Sequence, residues 1–134
     1  MSLDADRLRA SFELVATRKP DITIRFYEIL FERYPQAKPL FSRERSAQAK
    51  MLAEALMAVL DHLEDAEWLS DTLSGMGRQH EGYGVTREMY PWVGDALIST
   101  FAEVAADDWD AETEAAWGAA YGAICELMWT GYSN

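Results

Sequence analysis

The chain has 134 residues, 49% of them hydrophobic, with five Trp, six Tyr and five Phe and a formal net charge of −11. That length and composition fit one globular domain with a real core, residues 1–134, and exclude a disordered chain. A single cysteine, Cys125, excludes an internal disulfide and any multi-cysteine zinc site, and the acidity disfavours nucleic acid as a partner.

Apolar residues recur at spacings of three and four along the whole sequence, the helical period, with no strand-like alternation. A first helix carries Leu8, Phe12 and Val15 on one face, with Asp4 as its cap. Lys19-Pro20-Asp21 ends it and starts a second, bearing Ile22, Phe26, Tyr27, Leu30 and Phe31. Tyr34-Pro35 and Lys38-Pro39 leave room for a short helical turn before Phe41. A long amphipathic helix is predicted from Glu44 to Leu63, with Leu52, Leu56, Val59 and Leu60 inward.

Gly75 and Gly77 weaken a shorter helix that runs up to His80, and residues 81–85, Glu-Gly-Tyr-Gly-Val, read as a turn. The next helix starts near Arg87, tolerates Pro91 in or near its first turn, and faces Val93, Leu97, Phe101 and Val104 inward. The last begins after Asp110 and presents Trp117, Tyr121, Ile124 and Met128. The fold class is therefore all-α. No stretch approaches the ~20 apolar residues of a membrane helix. The charged N-terminus does not read as a secretory signal, so the expectation is a cytoplasmic protein with no membrane partner.

Chemistry-bearing residues are few. The sequence has two histidines, His62 and His80, whose separation along one straight helix would be about 27 Å, too far to share a small metal ion. A His-Glu-x-x-His motif, a Glu-x-x-His pair, a phosphate loop and a Gly-rich dinucleotide fingerprint are all missing. His62 sits among Asp61, Glu64 and Asp65, as at a solvated helix end. His80 ends an apolar helix and precedes a glycine turn and Tyr90-Pro91, a setting that can hold an imidazole rigidly toward a cavity.

The run Phe26-Tyr27-Glu28-Ile29-Leu30-Phe31 with Pro35 and Pro39-Leu40-Phe41 resembles bacterial haemoglobins and the globin domain of flavohaemoglobins. So do Gly77-Arg78-Gln79-His80-Glu81-Gly82-Tyr83-Gly84-Val85 and Tyr90-Pro91-Trp92-Val93-Gly94. Ala116-Trp117-Gly118 with Tyr121-Gly122 is similar to the last helix of the same family, and the blocks occur in family order.

The resemblance implies the globin fold, a three-over-three helical sandwich around one haem b. His80 would ligate the iron through Nε2, with the opposite face open to a diatomic ligand. Phe41 would pack on the porphyrin, and Tyr27 would donate a hydrogen bond to the ligand. Gln48 takes the distal position on the long helix, with Leu52 on the same face; a slip of one turn would substitute Met51 and Ala55. Val85 and Val93 complete the apolar cofactor contacts.

Tyr90 matches a tyrosine near the proximal imidazole, where the family adds a glutamate from the last helix. Tyr132 stands in that place here, and Glu126, the nearest acid, lies in another helical phase. Arg43, Arg45, Lys50 and Arg78 are basic groups suited to the haem propionates.

Three functions follow from the resemblance. The first is reversible binding of O2, NO or CO. The second is NO dioxygenation dependent on an external reductase, and the third is gas sensing or ligand relay. The expected assembly is a monomer or weak homodimer.

Overall fold

The computed structural model describes residues 4–41 and 44–133, without the side chain of residue 45. Six α-helices follow in order: α1 (Ala5–Arg18), α2 (Ile22–Arg33), α3 (Arg45–Asp61), α4 (Ala66–Gly82), α5 (Tyr90–Ala105) and α6 (Ala111–Trp129). Short 3-10 turns occupy Pro35–Leu40, Arg87–Met89 and Ala106–Asp108, and no strand occurs among the described residues.

Local chemistry accounts for the helix starts. Asp4, Asp65 and Asp110 each accept the backbone N–H three residues on, from Arg7, Trp68 and Thr113, and so satisfy one donor that a helix N-terminus otherwise leaves unpaired. Pro35 opens the first 3-10 turn, and Pro91 falls in the first turn of α5, where its missing N–H costs no hydrogen bond.

The layers of the sandwich follow from who packs on whom. The strongest pairings are α4 with α6 and α2 with α5, and α1 crosses both α5 and α6. Thus α1, α3 and α4 lie over α2, α5 and α6. The core between them holds Leu8, Val15, Phe26, Leu30 and Phe101, each with at most 2% of its surface exposed. Phe101 meets Trp117 edge-on at 4.8 Å and Phe12 at 6.0 Å, geometry that suits aromatic quadrupoles.

Two expectations around α4 are corrected. Gly75 and Gly77 do not shorten it: α4 has 17 residues, as α3 does. The turn after His80 is also later than expected, because Gly82 remains helical and only Gly84 takes a positive φ, 90°. Gly77 serves the crossing with α6. A Cβ there would lie 1.8 Å from the carbonyl oxygen of Met128, on backbone that cannot swing aside.

Gly77→Ala is therefore expected to destabilise by about 2 kcal/mol net, an overpacking cost of about 3 kcal/mol outweighing the roughly 1 kcal/mol of added helix propensity. Gly118→Ala, on α6 with open space at its Cβ, is expected to stabilise by about 0.5–1 kcal/mol. Urea denaturation midpoints of the two variants check the contrast; equal shifts would show that the crossing is not this tight.

One gap in the packing positions the site. The short connection from α3 to α4 joins helices that are not a packed pair: α3 rests on α2 and α1, whereas α4 rests on α6. The apolar inner face of α3, with Leu52 and Leu56, consequently stays half-buried, packed on the core along one side. α3 and α4 share at most a marginal contact, and the space left between them is the candidate cleft.

Candidate functional site

On the α3 side of the cleft, Tyr27 is 4% exposed and sits edge-on to Phe41 at 5.3 Å; Phe31 lies 5.6 Å from the same ring. Burial pushes the Tyr27 hydroxyl above the usual tyrosine range, so it keeps its proton at neutral pH. The neighbouring Gln48 side chain partly offsets that shift. Gln48 is half-buried, whereas Met51, the other residue considered for this place, is 47% exposed. Leu52 and Val93 are half-buried against the same core as Tyr27.

On the α4 side, His80 is half-buried and its Nδ1 lies 2.7 Å from the carbonyl oxygen of Met76. A carbonyl can only accept, so Nδ1 carries the proton and the neutral ring keeps its lone pair on Nε2, the form a metal requires. His62 makes the same bond, Nδ1 to the Ala58 carbonyl at 2.7 Å. Its ring differs in lying flat on Trp68, 3.8 Å between centroids, beyond the end of α3. A helical histidine reaching the carbonyl four residues back was visible in the spacing of Met76 and His80; sequence reasoning missed it.

Tyr90 is buried with its ring 6.4 Å from His80, and its hydroxyl lies 3.0 Å from that of Tyr132. Tyr132 therefore does stand beside Tyr90, while Glu126 is exposed on α6. The Tyr132 hydroxyl donates to the Val85 carbonyl at 2.7 Å, and the Val85 N–H donates to the His80 carbonyl at 3.0 Å. Half-buried Val85 and Met76 pack against the apolar cluster of Leu69, Leu73 and Tyr90.

The basic residues are not gathered in the same way. Lys50 and Arg78 are exposed, and each lies two residues from Gln48 or His80, about 200° round its helix and so on the opposite side. Arg43 and the Arg45 side chain lie outside the described residues. Arg87, not singled out in the sequence, holds its guanidinium 5.6 Å above the Trp129 ring. A separate groove of about 520 Å³ between α5 and α6 includes Asp95 and Tyr121, both already hydrogen-bonded within the protein, and it lacks either histidine.

No three His, Cys, Asp or Glu side chains gather to hold a metal ion among the described residues. One imidazole beside an apolar cleft suits instead a metal whose other ligands come from a flat macrocycle. Phe41, Leu52, Leu56 and Val93 on one side and Met76 and Val85 on the other are half-buried and apolar, as such a group needs. The residues present fit a haem.

Comparison with known proteins agrees. The Globin family model matches residues 24–128, and the chain belongs to the globin family. A flavohemoprotein of Rhizobium meliloti is 32% identical over 126 residues, covering 92% of this chain and 31% of the relative. The chain thus spans about a third of the length of the flavohemoproteins it matches. Among solved structures, a bacterial globin from Campylobacter jejuni superposes with a TM-score of 0.73 at 29% identity, covering 92% of this chain and 91% of that one. An engineered carbene transferase from Rhodothermus marinus, a variant of a protein described as a nitric oxide dioxygenase, gives 0.82 at 28% identity, covering 97% and 92%. No helix among the described residues is long and apolar enough to cross a membrane.

Proposed function

We propose that the chain binds haem b through His80 Nε2 and reversibly binds O2 and related diatomic ligands on the face toward Tyr27 and Gln48. The observation that carries this is the 2.7 Å bond from His80 Nδ1 to Met76, which leaves Nε2 as the free lone pair beside an apolar cleft. The haem would supply the iron and its open coordination position. The protein's part is to hold the imidazole, exclude water with Phe41, Leu52, Val85 and Val93, and present the Tyr27 proton and the Gln48 amide to a polar ligand. Hydrogen-bond donors aimed at the ligand slow its release, so high O2 affinity is expected.

The test is the absorption spectrum of the purified protein. A Soret band, or its appearance on adding haemin, is expected; a colourless protein that also rejects haemin would sink the reading. Haem binds the native state and not the unfolded chain, so holo-protein is expected to melt higher than apo-protein. A free ligand concentration 1,000 times Kd adds ~4 kcal/mol, or roughly 10–15 °C for a domain of this size. Scanning calorimetry of the two forms measures it.

The flavohemoprotein and Rhodothermus marinus relatives favour a second reading, NO dioxygenation with electrons from a separate reductase. Steady-state NO consumption with and without a reductase separates the two. A stoichiometric burst without turnover in both cases supports binding alone. Both readings place the protein in the cytoplasm as a monomer or weak homodimer.

A further inference from the structure

Charge is divided unevenly along the chain. All 12 Lys and Arg lie at or before Arg87, and residues 88–134 hold nine Asp and Glu with no Lys, Arg or His. That segment is α5, α6 and the turn between them, a helix pair supplied with acids alone. Four arginines reach it from α1 and α2: Arg7 to Glu112, Arg18 to Asp108, Arg25 to Glu103 and Arg33 to Asp95. Glu114 on α6 is exposed and accepts the Trp109 Nε1–H at 3.3 Å, and among the described residues no cation pairs with it.

The groove of about 520 Å³ runs between these two helices. Residues 106–110 connect them, so they lie antiparallel, and the groove follows α5 from Pro91 to Ala102, about 16 Å or three helical turns. Ile98, Ala102 and Tyr121 give it apolar lining, and Asp95 and Glu114 line it as carboxylates. The Tyr121 wall is fixed: its hydroxyl donates to the Tyr90 carbonyl at 2.7 Å, and a Cβ on Gly94 would come within 2.6 Å of its ring. Tyr121 thus stands level with Gly94. Glu114, seven residues earlier on the antiparallel helix, then stands about 9 Å along the groove from Asp95. Gly118 has open space at its Cβ, and no lining residue is shared with the cleft of His80 and Tyr27.

We propose that this groove docks a basic amphipathic helix from a partner protein. Apolar side chains at spacings of three and four would enter the groove, and cations about two turns apart would meet Asp95 and Glu114. The Arg33–Asp95 pair is open to water, with side chains 48% and 44% exposed, and such a pair holds its partner weakly. A second copy is disfavoured as the occupant, because its own α5 and α6 would set carboxylate against carboxylate. Another face of a second copy would make a heterologous contact, which propagates instead of closing into a dimer. Docking here leaves the candidate haem site clear.

The probe is a synthetic helix of about 18 residues with Leu on one face and Lys along both edges, beside a counterpart with Glu in place of Lys. Each is titrated into 15N-labelled full chain, reduced and under CO so that any bound haem is diamagnetic. The Lys peptide is expected to shift the amides of Asp95, Ile98, Ser99, Ala102 and Gly118. Its binding is expected to weaken about tenfold at about 0.5 M salt, where screening shortens the reach of the charges. The Glu peptide is expected not to bind. Gly118→Leu, which fills the groove, and Glu114→Lys are each expected to weaken binding about tenfold, as loss of one central anchor does. Asp71→Lys changes the net charge equally from α4, outside the groove, and is expected to leave binding unchanged.

Equal weakening by Asp71→Lys and Glu114→Lys overturns the proposal, since it marks attraction by net charge alone. So does a Lys peptide that fails to bind, or that binds Gly118→Leu as it binds the wild type. Should Gly118→Leu fail to fold, Glu114→Lys and the amide shifts decide. Sedimentation velocity on the free chain tests the remaining occupant: a dimer that Gly118→Leu dissolves gives the groove to a second copy and overturns the partner helix.

Discussion

His80→Gly is expected to abolish the native axial ligation and to weaken haem retention more than 100-fold. The magnitude follows from a lower bound: loss of an outer partner of a metal ligand typically costs about 10–100-fold in affinity, and this variant removes the ligand itself. The substitution should leave the fold standing, because His80 is half-buried at the cleft and makes one side-chain hydrogen bond, to its own helix. Free imidazole is small enough to enter the space the side chain leaves. Added to the variant, it is expected to restore a wild-type Soret band, which a merely unfolded protein would not do. His62→Gly is the control, since its ring lies flat on Trp68. Retained wild-type ligation in His80→Gly, with loss in His62→Gly, would reverse the assignment of the two histidines.

Tyr27→Phe is expected to speed O2 dissociation by about 10–30-fold, with a much smaller change in the association rate. A hydrogen bond to a strongly polar acceptor contributes about 1.5–2 kcal/mol, and each 1.4 kcal/mol is a factor of ten. The ring would still fill its place against Phe41, so packing is preserved and the effect isolates the hydroxyl. Gln48→Leu is expected to act in the same direction with a smaller factor, because the Gln48 side chain neighbours the Tyr27 hydroxyl. Flash photolysis and stopped-flow displacement of O2 measure both rates. An unchanged off-rate in Tyr27→Phe removes Tyr27 from ligand stabilisation.

The proline and aspartate signals were readable because they act on their own segment. Asp4 and Asp110 cap the helices they precede, and the Pro35–Leu40 turn is short for the reason its two prolines give. His80 stood out from His62 by neighbours alone, glycines and an aromatic-proline pair against three acids. The long helix was placed within two residues of its end, Asp61 against Leu63. What resisted a local reading was Gly77. Its low helix propensity argued for a weak helix, while the reason for the glycine lies on α6, where Met128 approaches.

The sequence by itself determined the all-α class, the order of the helices, the segments that turn, and the candidate residues on each side of the cleft. The class, the helix order and the turns follow from apolar period, capping chemistry and proline sterics, all of which act over a few residues, whereas the site candidates came from the ordered family-like blocks. Only the tertiary structure decided which candidates meet. Gln48 neighbours Tyr27, Met51 is exposed, and the Tyr132 oxygen accepts the Tyr90 hydroxyl. The last contact joins residues 42 apart. Its existence depends on how α6 crosses α4 and where the tail beyond it returns, and helix-crossing geometry is set by the whole packed interface.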